Sequence, residues 1–115
     1  ISVDNLQGIF EEAIDNNKYK KDVSGRLEII DHELINKFDQ SFGNRIVTQT
    51  IDFAGVFTNA GGSLTDALDY QISSKILRKV ISSDDSDALR DLRELMKDYP
   101  RSVYLIDKRI KELEL

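Results

Sequence analysis

Residues 41–55 read SFGNRIVTQTIDFAG, and the reading of this stretch decides the fold. Ile46, Val47, Thr50, Ile51, Ala54 and Phe57 recur at helical spacing, which predicts a helix over about Asn44–Asn59. Phe53 and Val56 widen the stripe until the helix is apolar nearly all round, the pattern of a helix buried on most sides. It is expected at the centre of the fold, with Gly61-Gly62 ending it. From Ile46 to Leu64 the only ionisable side chain is Asp52. Arg45 stands at the mouth of this uncharged run, in the first helical turn, where the helix dipole disfavours a cation. It therefore calls for a partner. A structural carboxylate and a phosphate supplied by another domain both suit the planar, permanently charged guanidinium.

Working outward, helical periodicity runs through most of the 115 residues, and Pro100 is the only proline. Val3, Leu6, Ile9, Phe10, Ala13 and Ile14 form one stripe, predicting a helix over Val3–Asn16 with Ser2 as its cap. NNKYKKDVSG reads as a loop turning at Ser24-Gly25. The apolar LEII (27–30) suits either a strand-like entry, with a short hairpin near 20–30, or an early helical turn. Asp31 is expected to cap a helix through Phe38, with Leu34, Ile35 and Phe38 inward, and Gly43 to take a left-handed C-terminal position. SLTDALDYQISSKILRKVI predicts a helix capped by Thr65, with Asp66 and Asp69 at its positive end. Leu68, Ile72, Ile76 and Val80 make a strict four-residue stripe. SSDDSD opens another helix carrying Leu89, Leu92, Leu95 and Met96, and Tyr99-Pro100 stops it. Ser102 caps the last, with Val103, Ile106, Ile110 and Leu113 inward. The expected fold is a single all-α domain, a small bundle of five to six helices.

Composition narrows the chemistry. The apolar share is 40% and the charged share 32%, as in ordinary globular domains. There is no cysteine, hence no disulfide, thiolate metal site or cysteine nucleophile, and this fits a cytoplasmic protein. No apolar run is long enough to span a bilayer. The net charge of −5 argues against direct nucleic-acid binding. The chain opens at Ile1 rather than Met, which predicts a piece of a longer protein. No phosphate-loop motif occurs, so the chain alone is not expected to hydrolyse nucleotides. His32, the only histidine, lies in IDHEL and reads as a solvated residue at a helix start. The SDDSD run lacks the glycine and terminal glutamate of a calcium loop and reads as a helix cap. Lys75, Arg78 and Lys79 share one helical face; they either touch phosphates or complement the helix C-terminus.

SFGNRIVTQTIDFAGVFTNAGG (41–62), followed by SLTDALDYQISSKILRKV (63–80), resembles the C-terminal helical lid of AAA+ ATPases. The similarity is closest to the MoxR and McrB-type branch, the latter with NTP-driven motors of methylcytosine-specific restriction systems. There a helix opens on a short turn carrying the sensor-2 arginine, and a later segment is similar to ALDYQISSKILRK (67–79). The resemblance implies that Arg45 is that arginine, that Gly43 and Asn44 flank the nucleotide with it, and that Lys75, Arg78 and Lys79 contact a partner or phosphate. It further implies a catalytic core domain outside this chain that holds ATP or GTP with Mg2+, neighbouring subunits in a homo-oligomeric ring, and a nuclease partner. A stand-alone helical protein-interaction module is the rival reading, supported by the acidic balance and the apolar excess around Phe53 and Val56.

Overall fold

The computed structural model describes residues 19–114, and every described element is helical. The helix expected over Val3–Asn16, with its Ser2 cap, lies outside the described residues. The described order is α1 (Lys20–Phe38), α2 (Gly43–Asn59), α3 (Leu64–Gln71) continuing into a π turn (Ile72–Ile76) and a 3-10 turn (Leu77–Lys79), α4 (Ser86–Leu95) and α5 (Pro100–Glu114). Together they form the small helical bundle that the periodicity predicts.

α1 corrects the reading of residues 20–30. Neither a loop nor a hairpin interrupts it; one helix of 19 residues runs through Ser24-Gly25. Val23, Leu27, Ile30 and Leu34 recur at steps of four, three and four and are all buried, so one continuous apolar face outweighs the turn signal. A Cβ at Gly25 would meet nothing within 4 Å. The glycine costs the helix only its intrinsic propensity, about 1 kcal/mol. Arg26 pairs with Asp22 at 2.8 Å and donates to the Tyr99 hydroxyl at 3.1 Å, which ties α1 to the turn before α5. The Tyr99 hydroxyl, then Asp22, hold its guanidinium above its ordinary pKa.

The end of α1 differs from expectation in three respects. Asp39 takes the left-handed position that closes the helix (φ 55°, ψ 40°), while Gly43, also at positive φ, opens the next one. Its N–H donates to the Ile35 carbonyl and that of Gln40 to the Leu34 carbonyl, closing the helix. Ile35 lies on the exposed side. Asp31 is not a cap, because α1 is already formed there; its Oδ1 instead accepts from Ser41 Oγ (2.9 Å) and the Phe42 N–H (3.3 Å) and so steers the chain into α2.

α2 has the expected bounds, yet it is not enclosed. Thr50, Ile51, Ala54 and Gly55 are buried, while Phe53 and Phe57 are half-buried and Val56 is 56% exposed. α1 and α3 pack against it, and its remaining side faces outward among the described residues. The centre belongs instead to α3 and its extension, where Leu68, Ile72, Ile76 and Leu77 are fully buried and Val80 nearly so. A stripe of period four drifts off one face of a 3.6-residue helix. The wider π turn over Ile72–Ile76 keeps it facing the core.

Three N-termini carry side-chain acceptors. Ser63, rather than Thr65, caps α3 by accepting from the Asp66 N–H at 3.0 Å. Asp85 caps α4 by accepting from the Ala88 N–H at 3.0 Å, as the SSDDSD run predicts. α5 begins at Pro100, whose ring suits a first helical position. Its acceptor comes from another helix. The Asp69 carboxylate accepts from the Arg101 N–H (2.8 Å), the Ser102 N–H (2.9 Å) and Ser102 Oγ (2.8 Å). Ser102 is thus a donor in the first turn rather than the cap, and Asp69 serves α5 rather than its own helix. Leu89, Leu92, Met96, Ile106 and Ile110 complete the core. Arg93 and Asp107 join α4 to α5. Arg109 holds the loop before α4 through the Ser82 and Ser83 carbonyls, each at 3.0 Å.

Asp69→Ala should destabilise the domain by about 3 kcal/mol, since it strands two backbone N–H groups and a buried hydroxyl. Ser63→Ala, which loses one exposed cap, should cost about 1 kcal/mol. Denaturant midpoints measure both; equal effects would mean that the inter-helix cap adds nothing.

Candidate functional site

The first turn of α2 presents Gly43, Asn44 and Arg45 together. Gly43 has φ +69°, a conformation that side chains with a Cβ resist, so glycine is required where the chain swings into the helix. Among the described α-helices it alone combines the lack of a side-chain cap with the lack of any carboxylate, in its first turn or from another helix, and it carries a cation there. The first turns of α1, α3 and α4 all contain an aspartate, and Asp69 serves α5. Arg45 is exposed and makes no hydrogen bond or ion pair among the described residues. The first N–H groups of α2 therefore lack a side-chain partner and sit beside an unpaired guanidinium, an arrangement that suits an anion.

Gly43 and Asn44 also border a cleft of about 380 Å³ between α1 and α2. Glu28 and Asp31 line it as well, and Arg45 does not. Two carboxylates make its interior unsuited to phosphate. The anion-facing part of this end is thus Arg45 and the helix terminus, not the cleft.

The basic trio does not act as a unit. Lys75 sits in the π turn, and Arg78 and Lys79 in the 3-10 turn, so the regular helical face expected for them is broken. All three are exposed. Lys79 Nζ donates to the Ser41 carbonyl at 2.7 Å and so braces the loop leading to Arg45. Lys75 and Arg78 make no ion pair among the described residues. His32 is exposed on α1, its Nδ1 3.2 Å from Asn36 Nδ2. No cluster of three or more His, Asp or Glu suited to a metal occurs among the described residues, and no described helix is long and apolar enough to cross a membrane.

A second feature is built from three helices and was not read from the sequence. Phe57 stacks on Phe53 (centroids 5.5 Å apart), Phe53 on Tyr70 (5.4 Å), and the Arg101 guanidinium lies over the Tyr70 ring at 5.6 Å. The row floors a groove of about 560 Å³ that Asp66 and Pro100 complete. Each ring is held. A Cβ at Gly62 would fall 2.1 Å from the Phe57 ring, so only glycine leaves it room. The Tyr70 carbonyl accepts from both the Ser73 and Ser74 hydroxyls within the π turn. The i, i+4 spacing of Phe53 and Phe57 was the available signal; the contributions of Tyr70 and Arg101 depend on tertiary packing. Three buried oxygens, Thr50 Oγ1, Asp52 Oδ1 and Gln71 Oε1, lack hydrogen-bond partners among the described residues.

A family profile described as "Domain of unknown function (DUF8727)" matches residues 3–115. No curated protein and no solved structure matches the chain.

Gly62→Ala should cost about 2 kcal/mol, the scale of an overpacked contact, by displacing the Phe57 ring. In a Phe57→Ala background the same change should cost far less, because the clash partner is gone. Full additivity of the two in a double-mutant cycle would contradict this packing. Gly43→Ala should cost at least about 1 kcal/mol through backbone strain alone.

Proposed function

The chain belongs to the DUF8727 family, and on that premise we propose that it is a helical lid domain of a AAA+ NTPase of McrB or MoxR type. In this reading the domain is not an enzyme by itself. It lends Arg45 to a nucleotide site whose phosphate loop lies in a core domain outside this chain. The carrying observation is the uncapped N-terminus of α2 with an exposed, unpaired arginine where the dipole disfavours one. No described residue pairs with it, so an anion brought from outside would give it a favourable interaction. The resemblance over residues 41–80 supplies the identity of that anion, the terminal phosphate of ATP or GTP.

The residues present fit that role. Arg45 is a permanent cation, Gly43 permits the tight entry, and Lys79 fixes the loop through the Ser41 carbonyl. The bound nucleotide, with its Mg2+, supplies the phosphoryl group and the charge to be stabilised. Arg45 binds and neutralises that charge as it develops, while the packed face of α2 holds the arginine in place. Because lid and core then share one ligand, hydrolysis would bias their relative orientation and pass to neighbouring subunits of a ring. A cytoplasmic setting and a nuclease partner belong to the same proposal.

The aromatic row favours a second reading, a protein-interaction module with no nucleotide role. The two separate on Arg45→Ala. As a surface change it should leave the stability of the 115-residue chain within about 0.5 kcal/mol. In the longer protein, nucleotide hydrolysis should fall by about a hundredfold to a thousandfold, the scale of a lost charge-stabilising arginine in phosphoryl transfer. Normal turnover in that variant, or a longer protein without a phosphate loop, would overturn the lid reading.

A further inference from the structure

We infer that the row Phe57–Phe53–Tyr70 is a self-complementary face on which a second copy of this chain docks about a two-fold axis, each Arg101 meeting the partner's Asp66. The face is apolar and open. Val56 and Tyr70 are 56% and 46% exposed beside the half-buried rings. It is also rigid. Asp69 takes the Arg101 and Ser102 N–H groups, the π turn pins the Tyr70 carbonyl, and Gly62 seats Phe57. A surface already ordered loses little entropy on association.

The choice of occupant rests on charge. Three charged residues line the groove; Asp69 is buried and taken up by the start of α5, which leaves the exposed Asp66 and Arg101, neither with an ion-pair partner among the described residues. They sit at different points along it, Asp66 one turn of α3 before Tyr70. Arg101 closes the Tyr70 end, whereas Asp66 is in the first turn of α3, just beyond the Gly62 on which Phe57 packs. A nucleic acid or an acidic segment would satisfy Arg101 and be repelled by Asp66; a basic segment would do the reverse. A copy turned through a two-fold axis runs its row antiparallel and satisfies both charges twice, with the aromatic rings closed from water between them. The pairing is closed, so it stops at two chains, and it does not depend on what Arg45 binds.

Sedimentation equilibrium of the 115-residue chain, up to about 1 mM, tests this. The chain should populate a dimer and nothing larger. Asp66→Arg and Arg101→Glu should each weaken self-association by about tenfold or more, since each places like charges together. Mixed in equal amounts, the two variants should recover a dimer, because each then offers what the other lacks. Circular dichroism confirms that each variant is folded. For a reversal that unfolds the chain, Asp66→Asn and Arg101→Gln replace it, each expected to weaken pairing about threefold. A monomer throughout, an assembly beyond two chains, a dimer indifferent to these changes, or a mixture that stays monomeric would overturn the proposal.

Discussion

The described structure depends on one buried carboxylate. Asp69 lies in the most buried of the described helices, yet it serves another helix 31 to 33 positions further on, where Pro100 opens α5 and Arg101 and Ser102 donate to it. A charge this enclosed is unfavourable unless it is well hydrogen-bonded. Three short donors, two of them the otherwise partnerless N–H groups of a helix start, meet that requirement. The positive end of the α5 dipole adds to them. The contact therefore fixes both the depth at which α5 enters the bundle and the direction in which it leaves. It also places Arg101 over Tyr70 and so sets one end of the aromatic row.

The same economy of caps makes the start of α2 informative. The starts of α3, α4 and α5 donate to Ser63, Asp85 and Asp69, and α1, uncapped, holds Asp22 in its first turn. α2 begins on a left-handed glycine, has no cap, and adds a cation. Placed on a scaffold braced by Asp31 and Lys79, that end has no side-chain ligand among the described residues. An isolated domain would gain stability from an acidic residue there. An anion there would make the arrangement favourable, which is the physical content of the lid proposal.

Much of this was legible in the sequence, and the losses have identifiable causes. The stripe Leu68, Ile72, Ile76 and Val80 marks the core correctly, and its period of four foreshadows the π turn. Asp85 caps where its Ser/Asp cluster predicts. Residues 20–30 depart from expectation because Ser24-Gly25 is a strong local turn signal, and only the burial of Val23 and Leu27 against distant helices overrides it. The apolar girth of α2 suggested enclosure, but hydrophobicity reports what a face prefers, not whether a neighbour covers it. Tyr70, Arg101 and the role of Asp69 were out of reach for the same reason: each acts across elements far apart in sequence.

The claim that the α2 terminus faces an anion can be met directly on this chain by amide and guanidinium NMR during titration with inorganic triphosphate. The account predicts weak, saturable shifts confined to the amides of residues 43–46 and the Arg45 Nε–H, absent in an Arg45→Gln variant. Shifts centred on Lys75 and Arg78, or none at the α2 terminus, would contradict it.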